Sequence, residues 1–251
     1  MTGRVDLQRQ GSLARVTLSH PGKLNAMSRA MWHELRDVFT RLQADADCRC
    51  VLVAGDGDAF CAGGDIAEYP EFRFEPGTLR DFHEEEVWGG LQAILDCDVP
   101  VVASIAGACM GAGVEIASCC DIRLGAEGAT FGAPIARLGF PMAPREAALV
   151  AAAAGAPTAR ELLLEAAVLG AAEMKSRGFL HQVVPNAGLA MQAQARCDRI
   201  MALAPGAARL NKQTLRALHA GQPVPQAYDY APGAEHREGI TAFLEKRKPA
   251  F

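Results

Sequence analysis

Glu115 is the residue whose type and setting point most directly to chemistry. It lies in PVVASIAGACMGAGVEIASCCD, residues 100–121, among small and apolar neighbours. A carboxylate on an apolar helix is costly to bury unless it has partners or a function. We therefore predict that Glu115 is an acid/base beside a ligand. A buried, hydrogen-bonded structural glutamate is the alternative.

The residues before Glu115 favour the binding of an anionic oxygen. Residues 101–105 predict a buried strand, residues 107–113 a glycine-rich turn, and Ala112 the approximate start of a helix. The first N–H groups of a helix have no partner within it, and the helix dipole places partial positive charge there. The backbone N–H of Ala112 is thus a candidate donor.

A second glycine-rich stretch, AFCAGGDI at residues 59–66, offers another donor. Two adjacent glycines leave a backbone N–H unobstructed and make unusual φ values cheap. Paired with Ala112, the N–H of Gly64 would complete a two-donor oxyanion hole. Each donor in such a hole contributes roughly 3 kcal/mol in the transition state.

Hydrophobic periodicity predicts the elements that position these groups. Residues 5–10 and 13–19 alternate around Gly11 as a β-hairpin, and Ser28 caps a helix to about residue 44. Further strands are expected at residues 50–54, 101–105 and 121–125, and a short apolar run lies at 180–184. A partly helical polar insert extends to residue 86, and a loop is expected at 131–144. Helices are expected at residues 87–95, 145–154, 156–165 and 171–177. Strands separated by helices imply a largely parallel sheet, so the fold class is α/β.

The last third of the chain reads as helices at residues 187–204, 206–220 and 232–248. We predict a core over residues 1–190 and a C-terminal helical region over residues 191–251.

Composition narrows the class of protein. A net charge of −4 gives no basic footprint for nucleic acid, and 50% hydrophobic residues over 251 positions allow a sizeable core. Eight cysteines without CxxC or zinc spacing favour free thiols and no metal site. We expect a cytoplasmic protein, because the N-terminus lacks a secretory h-region and Glu115 interrupts the only long apolar run. No nicotinamide motif or P-loop indicates a redox cofactor or nucleotide hydrolysis.

The order of five motifs resembles the crotonase (enoyl-CoA hydratase/isomerase) superfamily over nearly the whole chain. These motifs are HPGKLNAM, AFCAGGDI, AGACMGAGVEIASCCDIRL, ATFGAPIARLGF and EGITAFLEKRKPAF. The resemblance implies a spiral of ββα turns, C-terminal helices that mediate assembly, and a homotrimer or a hexamer built of two trimers. It also implies an acyl-CoA thioester whose carbonyl oxygen lies between the N–H groups of Gly64 and Ala112, where an enolate is stabilised.

The same resemblance assigns the coenzyme A contacts, with coenzyme A entering as part of the substrate and no separate cofactor. The residues that it places around the acyl-CoA are Gly22, Lys23, Leu24, Ala62, Gly63, Asp65, Ile66, Gly111, Pro134, Ile135, Phe243 and Lys246. Of these, Phe243 and Lys246 often act from a neighbouring subunit in the family.

The chain departs from the family pattern at one catalytic position. Hydratases of the family carry a second glutamate after the proline of FGxPE, but here the motif reads FGAPIA and the position is Ile135. Hydration needs a base for water and an acid for the α-carbon, so another group must supply the missing function. The family's isomerases also tend to depend on this position.

Several residues are candidates to replace the missing carboxylate. Glu146 is either a first-turn helix carboxylate or a proton donor. Glu68, Tyr69 and Glu71 form a solvated loop or lie over the acyl pocket, and His83 is a base or an ordinary residue of the insert. Arg137 makes a surface ion pair or lines the pocket.

Three functions remain open from the sequence. The first is an enoyl-CoA hydratase/isomerase-type enzyme with Glu115 as its acid/base. The second is another acyl-CoA reaction: thioester hydrolysis, decarboxylation or retro-Claisen cleavage. The third is an acyl-CoA-binding protein without catalysis.

Overall fold

The strands of the computed structural model, which describes residues 2–251, form two sheets. They are β1 Arg4–Gln10, β2 Leu13–Ser19, β3 Cys50–Gly55, β4 Val101–Ile105, β5 Ala108–Met110, β6 Ile122–Ala126, β7 Thr130–Gly132, β8 Val168–Gly170 and β9 Gln182–Val184. The larger sheet has the order β1-β2-β3-β4-β6-β9, and the smaller has the order β5-β7-β8.

The helices cover the sheet faces and make up the C-terminal region. They are α1 Arg29–Ala44, α2 Pro76–Asp81, α3 Trp88–Asp96, α4 Ala112–Cys119, α5 Pro144–Ala154, α6 Ala156–Leu164, α7 Ala171–Ser176, α8 Leu189–Met201, α9 Pro205–His219 and α10 Ala234–Leu244. Short 3₁₀ helices lie at Ile66–Glu71, Pro134–Leu138 and Asn186–Gly188, and a π-helical turn lies at Phe82–Val87.

The chain visits the two sheets alternately. β4 joins the larger sheet, β5 joins the smaller one, and α4 follows; β6, β7 and α5 repeat this order. Except for the antiparallel β1–β2 hairpin, the strands of the larger sheet pair in parallel. The predicted α/β class and the spiral of ββα turns are confirmed.

The sheet and α1 enclose the main core. Ser28 accepts a hydrogen bond from the Met31 N–H and so caps α1 as predicted. Below this cap, Trp32 and Phe39 of α1 are almost fully buried, as is Phe60 beyond β3. Aromatic side chains of this size dominate the energetics of a core.

The periodicity of the sequence did not predict three short strands, β5, β7 and β8. Residues 131–144 were expected as a loop, which is wrong in part, because β7 and a 3₁₀ helix lie within or across this range. β5 and β8 were also not predicted. A strand of three residues has no measurable alternation, and its neighbours in the sheet decide its conformation.

The C-terminal helices differ in how they meet the sheet. α8 packs on the larger sheet through Ala193 and Cys197, which are fully buried there together with Leu13 and Val102. The predicted boundary between the core and the C-terminal helical region, at residues 190 and 191, lies within the first turn of α8. α9 and α10 instead expose large apolar side chains, among them Leu215, Leu218, Phe243 and Leu244.

The turn between β4 and β5 depends on Gly107. Its φ is +51°, and a Cβ there would lie 2.1 Å from the carbonyl oxygen of Asp58. We expect Gly107→Ala to lower the free energy of unfolding by roughly 2–5 kcal/mol, from backbone strain and overpacking together. Urea denaturation measures this loss. Gly57→Ala is the matched control, because φ at Gly57 is +69° but no heavy atom lies within 4 Å of an added Cβ. Equal losses of stability in the two variants would show that the loop at Asp58 can move away from the new Cβ without cost.

Candidate active site

The two glycine-rich stretches are joined by backbone hydrogen bonds. The Cys61 N–H donates to the Ala108 carbonyl at 3.0 Å, and the Met110 N–H donates to the Cys61 carbonyl at 2.8 Å. The Gly111 N–H donates across to Gly132 of β7 at 2.8 Å. Strand pairing therefore fixes the loop after β3 against the turn before α4.

Glycines allow the two backbones to approach closely where the strands end. A Cβ on Gly111 would lie 3.7 Å from the Cα of Gly63, and φ is +45° at Gly111 and +117° at Gly63. Within residues 2–251, neither the Gly64 N–H nor the Ala112 N–H donates to a protein acceptor. The arrangement leaves two free backbone donors on adjoining segments, as an oxyanion hole requires.

A cavity of about 200 Å³ opens beside these donors. The predicted site residues that line it are Ala62, Gly63, Gly64, Ile66, Gly111, Ala112, Glu115, Pro134 and Ile135. The sequence therefore identified one side of a single cavity.

The other predicted coenzyme A contacts divide into two groups. Lys23 and Asp65 form an ion pair at 2.5 Å, and the Leu24 carbonyl accepts from the Ala62 N–H at 2.9 Å, so the turn that begins at Gly22 adjoins the loop of the cavity. Phe243 is 81% exposed on α10 and does not line the cavity of its own chain. Lys246 follows that helix and does not line it either.

Glu115 is buried where α4 meets the cavity. Its exposed fraction is 6%, and its carboxylate has no hydrogen-bond partner among residues 2–251. Burial raises the pKa of Glu115 well above its ordinary value, and the negative charge of Glu146 raises it further. Since the charged form is the costly one, the pKa shift favours a protonated Glu115 that can donate.

The structure brings Glu146 into the same cavity. It lies in the first turn of α5, is only 3% exposed, and lines the cavity together with Glu115. The first-turn position predicted for Glu146 is therefore confirmed, and the same carboxylate also faces the pocket. The second carboxylate, absent at Ile135, is present on a different element.

A hydrogen-bonded chain from the polar insert supports Glu146. His83 Nδ1 lies 2.8 Å from Glu146 Oε1, and His83 Nε2 lies 3.3 Å from Arg73 Nη1. A guanidinium only donates, so Nε2 is the acceptor, and the proton of a neutral His83 is on Nδ1. In this tautomer His83 donates to Glu146 and accepts from Arg73, so both ring nitrogens are engaged.

The insert adds an aromatic wall. A Cβ built on Gly64 would lie 2.2 Å from Tyr69 Oη, which places that hydroxyl directly against the backbone of Gly64. Burial raises the pKa of Tyr69 to about 12, so the hydroxyl stays protonated. Tyr69 thus lies over the pocket, as one of its two sequence interpretations held.

Arg73 lines the cavity, whereas Arg137 does not. Sequence reasoning missed Arg73 as a site residue, and its flanking aromatic residues give no consistent signal, because Phe72 is buried and Phe74 is exposed. Arg137, a possible pocket residue, instead donates to the Ala166 carbonyl at 3.0 Å and does not line the cavity.

Residues 2–251 contain neither a membrane-spanning helix nor a metal-binding cluster. No helix in residues 2–251 is both long and apolar enough to cross a membrane. Over the same residues, no group of three or more His, Cys, Asp or Glu side chains has an arrangement that would hold a metal ion.

Comparison with known proteins gives consistent matches over the full chain. The enoyl-CoA hydratase/isomerase family profile matches residues 8–251. A probable enoyl-CoA hydratase of Mycobacterium bovis is 30% identical over 98% of this chain and 96% of its own length. A short-chain-enoyl-CoA hydratase of Clostridium acetobutylicum is 29% identical over 97% of this chain and 95% of its own.

A solved structure agrees with these relatives. The crystal structure of an enoyl-CoA hydratase/carnithine racemase from Magnetospirillum magneticum superposes with a TM-score of 0.95 at 33% identity, covering 100% of this chain and 96% of that one. The chain therefore belongs to the enoyl-CoA hydratase/isomerase family, within the crotonase superfamily.

Proposed function

We propose that the protein hydrates the double bond of a 2-enoyl-CoA thioester, with Glu146 as the base and Glu115 as the acid. The observation that carries this proposal is the presence of both carboxyl groups in one cavity with different surroundings: burial raises the pKa of Glu115, whereas Glu146 accepts a hydrogen bond from His83. Two titratable groups whose environments differ in this way are the usual basis of an acid/base pair.

The thioester carbonyl would bind between the N–H groups of Gly64 and Ala112. Glu146 takes a proton from water, the resulting hydroxide oxygen forms a bond to the β-carbon, and the π electrons move to the thioester oxygen as an enolate. The two backbone donors stabilise this oxygen by roughly 3 kcal/mol each in the transition state. Glu115 then donates its proton to the α-carbon, and the enolate collapses to the 3-hydroxyacyl thioester.

The cycle closes by proton exchange. After addition, Glu146 holds the proton from water and Glu115 has lost its own. One proton must therefore pass from Glu146 to Glu115, directly or through solvent, before the next turnover. The bond from His83 orients Glu146 for this purpose, because it occupies one carboxylate oxygen and leaves the other available.

The coenzyme A moiety would lie along the turn at Gly22, Lys23 and Leu24 and past Asp65. We assign Phe243 and Lys246 to the coenzyme A of a neighbouring copy in a homotrimer or hexamer. Exposed apolar side chains on α9 and α10 support such an assembly, since large exposed apolar patches are typical of interfaces.

A product survey tests the reaction. We expect the purified protein, incubated with a mixed panel of enoyl-, 3-keto- and malonyl-type CoA thioesters, to add one water to an enoyl-CoA, as read by mass spectrometry. Release of free CoA or carbon dioxide would contradict hydration and favour thioester hydrolysis, decarboxylation or retro-Claisen cleavage. Tight binding of every thioester without conversion would indicate a non-catalytic acyl-CoA-binding protein.

A further inference from the structure

Arg73 places a positive charge inside the acyl cavity. It lies between the 3₁₀ helix at Ile66–Glu71 and α2, and its side chain lines the cavity. The guanidinium carbon lies 4.5 Å from the ring centroid of Tyr69 and 3.9 Å from that of Phe140. Both rings also line the cavity, so the planar cation is held against its aromatic wall.

The hydrogen-bonding capacity of Arg73 is largely unused. Among residues 2–251 its side chain has one hydrogen-bond acceptor, His83 Nε2, and no carboxylate oxygen lies within 4.0 Å. Arg123 offers an internal contrast, because it also lies over an aromatic ring and is largely buried. Its N–H groups, however, donate to the carbonyls of Phe179, Cys120 and Ala117.

The N–H groups of Arg73 that have no acceptor restrict which ligand the cavity can bind favourably. A guanidinium has five N–H donors and no acceptor. An alkyl chain that filled the cavity would displace water from Arg73 without replacing its hydrogen bonds, which is unfavourable. Partial burial already lowers the pKa of Arg73, in keeping with a charge that lacks solvent. A carboxylate is the group that matches this donor fork in geometry and in charge.

We propose that the acyl group of the substrate carries a carboxylate at its far end, which Arg73 binds. The substrate class is thus the mono-CoA thioester of a dicarboxylic acid. This inference depends on the proposed function only in requiring that an acyl-CoA thioester occupies the cavity with its carbonyl at Gly64 and Ala112.

The position of Tyr69 limits the length of that acyl group. Its hydroxyl adjoins Gly64, whereas the face of the same ring lies beneath Arg73. One aromatic ring therefore separates the thioester end of the cavity from the cation. This spacing indicates a short chain.

Binding of saturated thioesters, which cannot be hydrated, tests the assignment directly. We would titrate the full-length protein calorimetrically with saturated pairs of equal carbon number: butyryl- against succinyl-CoA, pentanoyl- against glutaryl-CoA, and hexanoyl- against adipoyl-CoA. For at least one pair, we expect the dicarboxylic thioester to bind about 10- to 100-fold more tightly, the range for hydrogen bonds to charged groups. Preference for the neutral member of every pair would overturn the proposal.

Variants at two arginines locate the preference. Arg73→Gln should abolish it, and Arg73→Lys should keep part of it, because the charge remains while the planar fork is lost. Arg145→Gln is the matched control: Arg145 also lies over an aromatic ring, Trp88 at 4.2 Å, but does not line the cavity. A preference that survives in a folded Arg73→Gln protein, as judged by circular dichroism, would also overturn the assignment.

The two proposals fail in different experiments. Saturated thioesters cannot be hydrated, so their affinities report on Arg73 independently of the proposed hydration. If the dicarboxylic preference is present but no enoyl-CoA gains water, the reaction is wrong and the subsite stands. If neutral enoyl-CoAs are hydrated and no preference appears, the subsite is wrong and the reaction stands.

Discussion

Replacing Glu115 with glutamine is expected to lower kcat by about 10²- to 10⁴-fold while the protein still binds acyl-CoA. A positioned general acid contributes a factor of this size, and the amide keeps the shape of the side chain but cannot donate an acidic proton. The backbone donors at Gly64 and Ala112 are unchanged, so affinity should persist. Steady-state kinetics together with calorimetric titration of a saturated acyl-CoA separate the two effects, and full activity in the variant would remove Glu115 from the mechanism.

The same substitution is expected to stabilise the fold at neutral pH. Burial raises the folded-state pKa of Glu115 above its unfolded value. Between those two values the folded state binds more protons, so the free energy of unfolding of the wild type falls as pH rises. Glutamine does not titrate, so the free energy of unfolding of the variant does not fall for this reason.

The stability advantage of Glu115→Gln should therefore grow as pH rises from about 4.3, the ordinary carboxyl pKa. Urea denaturation of both proteins across this range measures it, since all other titrating groups are common to both. An advantage that stays constant with pH would mean that Glu115 is not held protonated by burial.

Replacing Glu146 with glutamine is expected to lower kcat by about 10²- to 10⁴-fold as well, because a positioned general base contributes a factor of similar size. The two carboxyl groups act as a unit in the proposed reaction. The double variant of Glu115 and Glu146 should therefore lose little beyond the more damaging single change. Initial rates with an enoyl-CoA measure all three variants.

A second readout tests whether the charge of Glu146 acts on Glu115. The charge of Glu146 contributes to the raised pKa of Glu115, so its removal should lower that pKa. The loss of kcat at high pH, where the acid Glu115 deprotonates, should then begin at lower pH. Glu173→Gln is the matched control, since Glu173 is also a first-turn helix carboxylate but is exposed and lies outside the cavity. An unshifted pH profile in Glu146→Gln would show that the charge of Glu146 does not act on the pKa of Glu115.

The sequence by itself determined the scaffold and one wall of the site. The alternation of β1 and β2 and the cap at Ser28 are local signals, and the structure follows them. The two glycine stretches and Glu115 were also readable from the sequence, because glycine is needed where backbones approach closely and an acid is anomalous on an apolar helix. The family resemblance likewise indicated that Ile135 occupies the position of the usual second carboxylate.

Only the tertiary structure showed that Glu146 shares the cavity with Glu115 and that Arg73 lines it too. Glu146 and His83 are 63 residues apart in the chain, yet their side-chain atoms lie 2.8 Å apart. Arg73 and Tyr69 come from the insert, whose irregular helical turns have no period that predicts which side chains face inward. A sequence pattern reports the face of one element, whereas a cavity is formed by several elements at once. The proposed acid/base pair and the cation therefore became visible only when α5 and the insert were packed over α4.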